Sequence, residues 1–155
     1  MDMIPNISVA SLPITLFLAA LPHWYSIGVA ESRKIQGGWS NENPRAFVAR
    51  LNARAAQGKR LSDTEEMILR AQSCQQNGFE WFAVWAAAVI LGNFAKLPQS
   101  TLTNTTFIHL VTRIIYTVLY VQTTSRKFSY VRTLVFNLGV AAQVRLIFKA
   151  AYALA

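Results

Sequence analysis

The stretch from Ile7 to Ala30 contains no Asp, Glu, Lys or Arg. A helix needs about 20 mostly apolar residues to cross the hydrocarbon layer of a membrane, so this stretch predicts a membrane-spanning helix. A cleaved signal peptide is the competing interpretation, but the stretch is too long for its apolar region and no basic residue precedes it. Pro13 and Pro22 are tolerated in such a helix, because neighbouring helices can satisfy the carbonyl groups that the prolines free.

The composition agrees with a membrane protein. Hydrophobic residues make up 53% of the 155 residues and charged residues 14%, and the mean hydropathy is +0.28. Soluble domains carry about a quarter charged residues and disordered chains need low hydrophobicity, so both classes are excluded. Cys74 is the only cysteine in the sequence, and it therefore has no disulfide partner within the chain.

Three further spans are predicted. The second begins at Ser62-Asp63-Thr64-Glu65, whose spacing predicts a capping box, and it ends at Lys96-Leu97-Pro98 because proline does not continue a helix. This helix is about 50 Å long at 1.5 Å per residue, so its polar first half is expected to project from the membrane. The chain is thus predicted to be one all-α domain over 1–155, an integral membrane four-helix bundle. The predicted spans are 7–30, 63–95, 103–123 and 129–155, and the predicted cytoplasmic loop is 31–62.

The basic residues are concentrated between the first two spans. The net charge is +8, from 15 basic and 7 acidic residues. The basic residues of the loop are Arg33, Lys34, Arg45, Arg50, Arg54, Lys59 and Arg60. Because basic loops stay on the cytoplasmic side, both termini are expected on the lumenal or exterior side. Nucleic-acid binding is not predicted, since these residues form no basic stripe with interleaved aromatic side chains.

The second helix carries a polar stripe. Successive helical residues differ by about 100°, which places Arg70, Ser73, Asn77 and Glu80 within an arc of about 80°, while Gln75 points elsewhere. Ionisable residues inside a span are costly, so each is a candidate functional residue. The alternative is that the stripe only holds neighbouring helices together.

A similar stripe on the third helix contains His109, Arg113, Tyr116 and Tyr120, within about 60° of one another. Arg113 lies near the middle of the span and needs an acid, carbonyl groups or a water-filled cavity. Two interpretations stay open: a buried Glu80–Arg113 ion pair without chemistry, or a ligand-binding role for these residues. His109 alone is predicted to be a packed or interfacial histidine.

The start of the fourth helix predicts an anion site. With Ser129 as the N-cap, Arg132 falls in the first turn, where the free N–H groups of the helix would bind the same anion. The alternative is that Arg132 extends to phospholipid headgroups. A metal site is not predicted, because one cysteine and two distant histidines give no usable ligand spacing.

Four motifs resemble those of the MAPEG family, the membrane-associated proteins in eicosanoid and glutathione metabolism. Arg70-Ala71 and the run from Gln75 to Phe82 are similar to its second-helix signature, an arginine and then Asn-x-x-Glu followed by aromatic residues. Arg113-x-x-Tyr116-x-x-x-Tyr120 resembles its third-helix motif. Arg132-Thr133 resembles the Arg-Ser at the start of its fourth helix, and Asn43-Pro44-Arg45 recurs in many members. The similarity covers essentially the whole chain.

The resemblance implies a homotrimer in which glutathione, as co-substrate, lies in a U shape between adjacent subunits near the cytoplasmic side. It implies that Arg132 stabilises the glutathione thiolate. Because the segment from Tyr120 to Arg132 is a few residues longer than in catalytic members of the family, Arg126 is a weaker substitute for this role. The residues implied in binding glutathione are Arg70, Gln75, Asn77, Glu80, Tyr116 and Tyr120, assisted by Arg33 or Lys34, with Arg113 as a further candidate.

Three hypotheses about function follow. The first is a membrane-bound glutathione transferase or peroxidase acting on a lipophilic electrophile, in the endoplasmic reticulum if the source is eukaryotic. The second is a glutathione-independent isomerase or cyclase that acts on a hydrophobic metabolite, with Glu80, Tyr116 or Arg113 as acid or base. Ser73 favours it, because the family usually has an arginine there that contacts a glutathione carboxylate. The third is a non-catalytic lipid-binding scaffold, like the family's lipoxygenase-activating branch.

Overall fold

A computed structural model describes residues 6–155, and all regular secondary structure within that range is helical. Residues 1–5, where the predicted domain begins, lie outside the described residues. The helices are α1 (Ile7–Ser32), α2 (Pro44–Ala56), α3 (Asp63–Phe94), α4 (Gln99–Gln122) and α5 (Arg126–Leu154), with a short 3-10 turn at Ile35–Gly37. The prediction of an all-α fold is confirmed for this part of the chain.

The four long helices pack against one another, and α2 packs on α3. Two of the four predicted spans are supported within residues 6–155, because α1 and α5 are long and apolar enough to cross a membrane, judged by length and composition. The predicted spans in α3 and α4 stay predictions. Large apolar side chains such as Phe94, Phe107 and Phe148 are more than half exposed on the outside of the packed helices. Such a surface is unfavourable in water and is typical of one that faces lipid.

Helix α2 lies within the segment 31–62 that was predicted as a loop. Pro44 is its first residue, a position where the missing N–H of proline costs nothing. Phe47 and Leu51, one turn apart, are fully buried and pack with Ile68 of α3 and with Trp39. The helix was not predicted because it is short and amphipathic, so it forms no apolar stretch long enough to span a membrane.

Two helices begin earlier than predicted. Helix α4 begins at Gln99 rather than at residue 103, because its first turn is polar but still helical. Helix α5 begins at Arg126, and its N-cap is Ser125, whose hydroxyl accepts a hydrogen bond from the backbone N–H of Phe128 at 3.4 Å. The prediction that Ser129 caps this helix is wrong, since the Ser129 hydroxyl instead donates to the Arg126 carbonyl.

Helices α1 and α3 approach closely at Gly78. A Cβ atom added there would lie 2.9 Å from the Ala19 Cβ and 3.1 Å from the Ala19 Cα, so the backbone of α1 would have to move. We expect Gly78→Ala to destabilise the protein by about 1–3 kcal/mol in thermal unfolding in detergent. Gly28→Ala is the matched control, because nothing lies within 4 Å of that position. Equal losses in the two variants would contradict close packing at Gly78.

Candidate functional site

A cavity of about 850 Å³ lies between α3 and the segment that contains α2. Most of its lining comes from the N-terminal half of α3 and from one face of α2. The lining residues are His23, Trp39, Pro44, Arg45, Val48, Ala49, Asn52, Leu69, Gln72, Ser73, Gln75, Gln76, Phe79 and Glu80. The cavity is therefore rich in amide groups and carries charges of both signs.

The α3 wall of the cavity is built from residues three and four apart, which share a helix face. Ser73, Gln76 and Glu80 are exposed there, and the Gln76 amide donates a hydrogen bond to Glu80 Oε1 at 3.1 Å. Gln75 lines the same cavity although its position on the helical wheel pointed elsewhere. The cavity is thus wide enough to accept side chains from more than one arc of α3.

His23 of α1 contributes to the cavity and was not among the predicted site residues. Its Nδ1 atom lies 3.0 Å from the amide nitrogen of Gln72, which also donates to the Ser26 hydroxyl. The imidazole ring contacts the Trp39 ring edge to face, with 5.4 Å between the ring centroids. These contacts fix the orientation of the ring. The signal in the sequence that could have identified His23 is a histidine in a predicted span without Asp, Glu, Lys or Arg.

Asn77 and Arg113 form a second group, between α3 and α4. Arg113 is 8% exposed, and its Nη1 atom donates a long hydrogen bond of 3.5 Å to Asn77 Oδ1. Its guanidinium carbon lies 5.8 Å from the centre of the Tyr116 ring and 5.5 Å from that of Phe136. The Glu80–Arg113 ion pair considered from the sequence is not formed between these two described residues. The reason is that Glu80 faces the cavity while Arg113 is buried among aromatic rings.

Arg132 continues this group along α5. Its guanidinium carbon lies 4.2 Å from the centre of the Tyr120 ring, a cation–π distance, and Tyr120 contacts Tyr116 edge to face. Because α5 begins at Arg126, Arg132 lies in the second turn rather than the first. The predicted placement of Arg132 in the first turn, beside the free N–H groups of the helix, is therefore wrong. The predicted site residues Arg113, Tyr116, Tyr120 and Arg132 nevertheless form one continuous row.

Arg70 and Arg33 are held elsewhere. Arg70 donates from Nε to the Val121 carbonyl at 3.0 Å, and its Nη1 atom lies 3.6 Å from a Glu66 carboxylate oxygen. The contact with Val121 connects α3 to the end of α4, whereas the contact with Glu66 lies within α3. Arg33 donates to the Thr64 hydroxyl at 3.0 Å. Neither arginine lines the cavity within the described chain.

Glu65 holds the junction between α2 and α3 together. It completes the predicted capping box with Ser62, which is confirmed, and it accepts hydrogen bonds from Gln36 and Arg54. Glu65 is 5% exposed, and burial alone would raise the pKa of its carboxylate. The hydrogen bonds from the Ser62 backbone and from the Gln36, Ser62 and Arg54 side chains outweigh burial, so the pKa of Glu65 lies below its ordinary value.

Acid is expected to destabilise this junction. A carboxylate with a lowered pKa contributes stability that is complete above its unfolded pKa, about 4.3, and is lost as the pH falls through the folded pKa. Thermal unfolding measured in detergent between about pH 7 and about pH 3 should show this loss, and Glu65→Gln should flatten it. Glu66→Gln is the matched control, because that side chain is 53% exposed. A wild-type profile that stays flat on the acid side would contradict the prediction.

The fold and the cavity define an α-helical membrane protein with a polar site beside its basic connecting segment. Residues 11–152 match the model of the MAPEG family, and the chain belongs to this family. The family is membrane-bound and includes glutathione transferases, peroxidases and isomerases. Comparisons with curated proteins and with solved structures find no significant match.

Proposed function

We propose that the protein is a membrane-bound glutathione transferase or peroxidase that acts on a lipophilic electrophile. The observation that carries the proposal is the cavity at α3, which combines Glu80, Arg45 and several amide side chains. Glutathione has one ammonium group, two carboxylates and two peptide bonds. A carboxylate, a guanidinium and amides are the groups that would bind these parts by charge-assisted and neutral hydrogen bonds.

We further propose a homotrimer that completes the site. Within one chain, Arg132 and Tyr120 do not line the cavity. Ser73, Gln76 and Glu80 are exposed on α3, so this wall is open to a neighbouring molecule. In the proposed trimer, α4 and α5 of one subunit lie against the cavity of the next and bring Arg132 and Tyr120 to the bound tripeptide. The predicted contacts of Arg33, Arg70 and Asn77 with glutathione remain part of this proposal.

In this arrangement Arg132 activates the thiol of glutathione. A free thiol has a pKa of about 8.5 and is mostly protonated at neutral pH, and a nearby cation lowers that value. The thiol proton leaves to solvent, and the thiolate attacks the electrophile, which arrives through the lipid. In a transfer reaction a carbon–sulfur bond forms while the leaving group departs with its electron pair.

The proposal includes an orientation and a membrane. The basic segment faces the cytoplasm, both termini are lumenal, and the membrane is that of the endoplasmic reticulum in a eukaryote.

Ser73 supports a second candidate function. It lines the cavity with a short neutral side chain and leaves the α3 wall without a cation. A glutathione-independent isomerase or cyclase acting on a hydrophobic metabolite is this second candidate, with Glu80, Tyr116 or Arg113 as acid or base. Of these three residues, Glu80 lines the cavity within one described chain. Turnover that is unchanged when glutathione is removed would support this alternative.

The main test is the ultraviolet absorbance of the thiolate when glutathione is added to the purified protein. A Cys74→Ser background removes the only thiol of the chain, so the signal reports glutathione alone. The proposal predicts a saturable thiolate signal, and S-methylglutathione, which has no ionisable thiol, should compete for the site without producing it. No thiolate signal and no calorimetric binding at millimolar glutathione would overturn the proposal.

A further inference from the structure

Arg45 is the one arginine or lysine among the cavity-lining residues in the described part of the chain. It is exposed at the second position of α2, and within residues 6–155 it makes no ion pair. Two other basic residues of the same segment are engaged in ion pairs, Lys34 with Glu31 at 2.9 Å and Arg54 with Glu65. The guanidinium of Arg45 is therefore available to a ligand in the cavity.

The acidic residue of the cavity lies on the α3 wall, opposite α2. Glu80 of α3 is exposed there and is suited to an ammonium group, but it repels a carboxylate. Ser73, on the same wall, brings no charge. An anionic peptide with an ammonium group therefore needs a cation from the α2 side, and a guanidinium suits this task because it binds a carboxylate through two parallel hydrogen bonds.

We infer that Arg45 binds a carboxylate group of glutathione and supplies from α2 the positive charge that Ser73 does not supply from α3. The inference rests on the proposed function and names a residue that sets its specificity for an anionic peptide. Arg45 is a binding residue in this inference, and Arg132 is the residue that stabilises the thiolate. Helix α2 then has a role in ligand binding as well as in packing.

The test compares glutathione binding by the full-length protein in detergent, measured by calorimetry. Arg45→Ala is expected to raise the dissociation constant about ten- to hundredfold, the usual effect of losing a charged hydrogen-bonding partner. Arg50→Ala is the matched control, because Arg50 is on the same helix, lies over the Phe47 ring and does not line the cavity. The double variant R45A/S73R returns a cation to the cavity from the α3 wall and should recover most of the lost affinity.

The outcomes separate the inference from the proposed function. The role of Arg45 is supported if the wild type binds glutathione, Arg45→Ala binds it more weakly, and Arg50→Ala binds it as tightly as the wild type. Recovery of affinity in R45A/S73R supports it further. Equal binding by wild type and Arg45→Ala overturns the inference while the proposed function stands. Equal weakening by Arg45→Ala and Arg50→Ala also overturns it, because the cause is then the general charge of α2. No binding by wild type overturns both.

Discussion

Replacing Arg132 with alanine is expected to abolish the thiolate signal of bound glutathione and to lower kcat/KM by about a hundredfold or more. This is the usual loss when a preorganised group that stabilises developing negative charge is removed. Each unit by which a cation lowers the pKa of a thiol corresponds to about 1.4 kcal/mol of stabilisation of the thiolate relative to the thiol. The Tyr120 ring lies 4.2 Å from the guanidinium carbon, a contact that favours one position of the side chain, so the proposed reaction is expected to need little reorganisation of Arg132.

Arg126→Ala is the control for Arg132→Ala. Arg126 is the first residue of α5, is exposed, and is the other arginine that the sequence offered for this role. If Arg126→Ala removes the thiolate signal and Arg132→Ala keeps it, the assignment of Arg132 is wrong. Calorimetry on both variants shows whether glutathione still binds, because Arg132→Ala is expected to affect ionisation of the thiol more than binding.

Replacing Trp85 with alanine is expected to destabilise the protein by about 3–5 kcal/mol, the usual cost of removing a fully buried tryptophan. Trp85 is 0% exposed, stacks on His109 with 4.0 Å between ring centroids, and donates from Nε1 to the Ser11 hydroxyl at 3.1 Å. The His109 ring also contacts Thr15 and Gln143, so this cluster connects all four long helices. Helices in lipid depend on such packing and hydrogen bonds, because burial from water no longer drives their association.

Trp24→Ala is the control for Trp85→Ala. The Trp24 side chain is 51% exposed, so its loss leaves no enclosed space in the bundle. Thermal or denaturant unfolding in detergent should show a much larger loss for Trp85→Ala. A loss of comparable size in both variants would contradict a stabilising centre around Trp85 and His109.

The long-range organisation of the chain could be predicted from the sequence because strong local signals carry it. The uncharged run in α1 and the capping box at Ser62 are such signals, and the family motifs extend along the chain. The start of α5 could not be predicted correctly, because two serines offer similar N-caps. Ser125 and Ser129 are four residues apart, and both precede a helical pattern, so only the hydrogen bond to Phe128 identifies Ser125 as the cap.

The arrangement of the site could be predicted only in part, because it depends on which neighbour each helix face meets. Asn77 and Glu80 are three residues apart and share one arc of α3, yet Asn77 contacts Arg113 of α4 while Glu80 faces the cavity. A difference of about 60° is enough to place them on two sides of a helix–helix boundary. His23 and Arg45 were missed as site residues because their separation along the chain gives no spacing that could reveal their common cavity.

Helix α3 has 32 residues, about 48 Å at 1.5 Å per residue, and the cavity lies along its N-terminal half. This length exceeds a hydrocarbon layer of about 30 Å, so under the proposed function the tripeptide enters from water while the electrophile enters sideways from the bilayer. The concentrations that matter for the two reactants are then those in two different phases, water and lipid. Saturation with glutathione would depend on the molarity of glutathione in bulk solution, whereas saturation with the electrophile would depend on the mole fraction of the electrophile in the membrane. Adding inert lipid alone would therefore slow turnover by surface dilution.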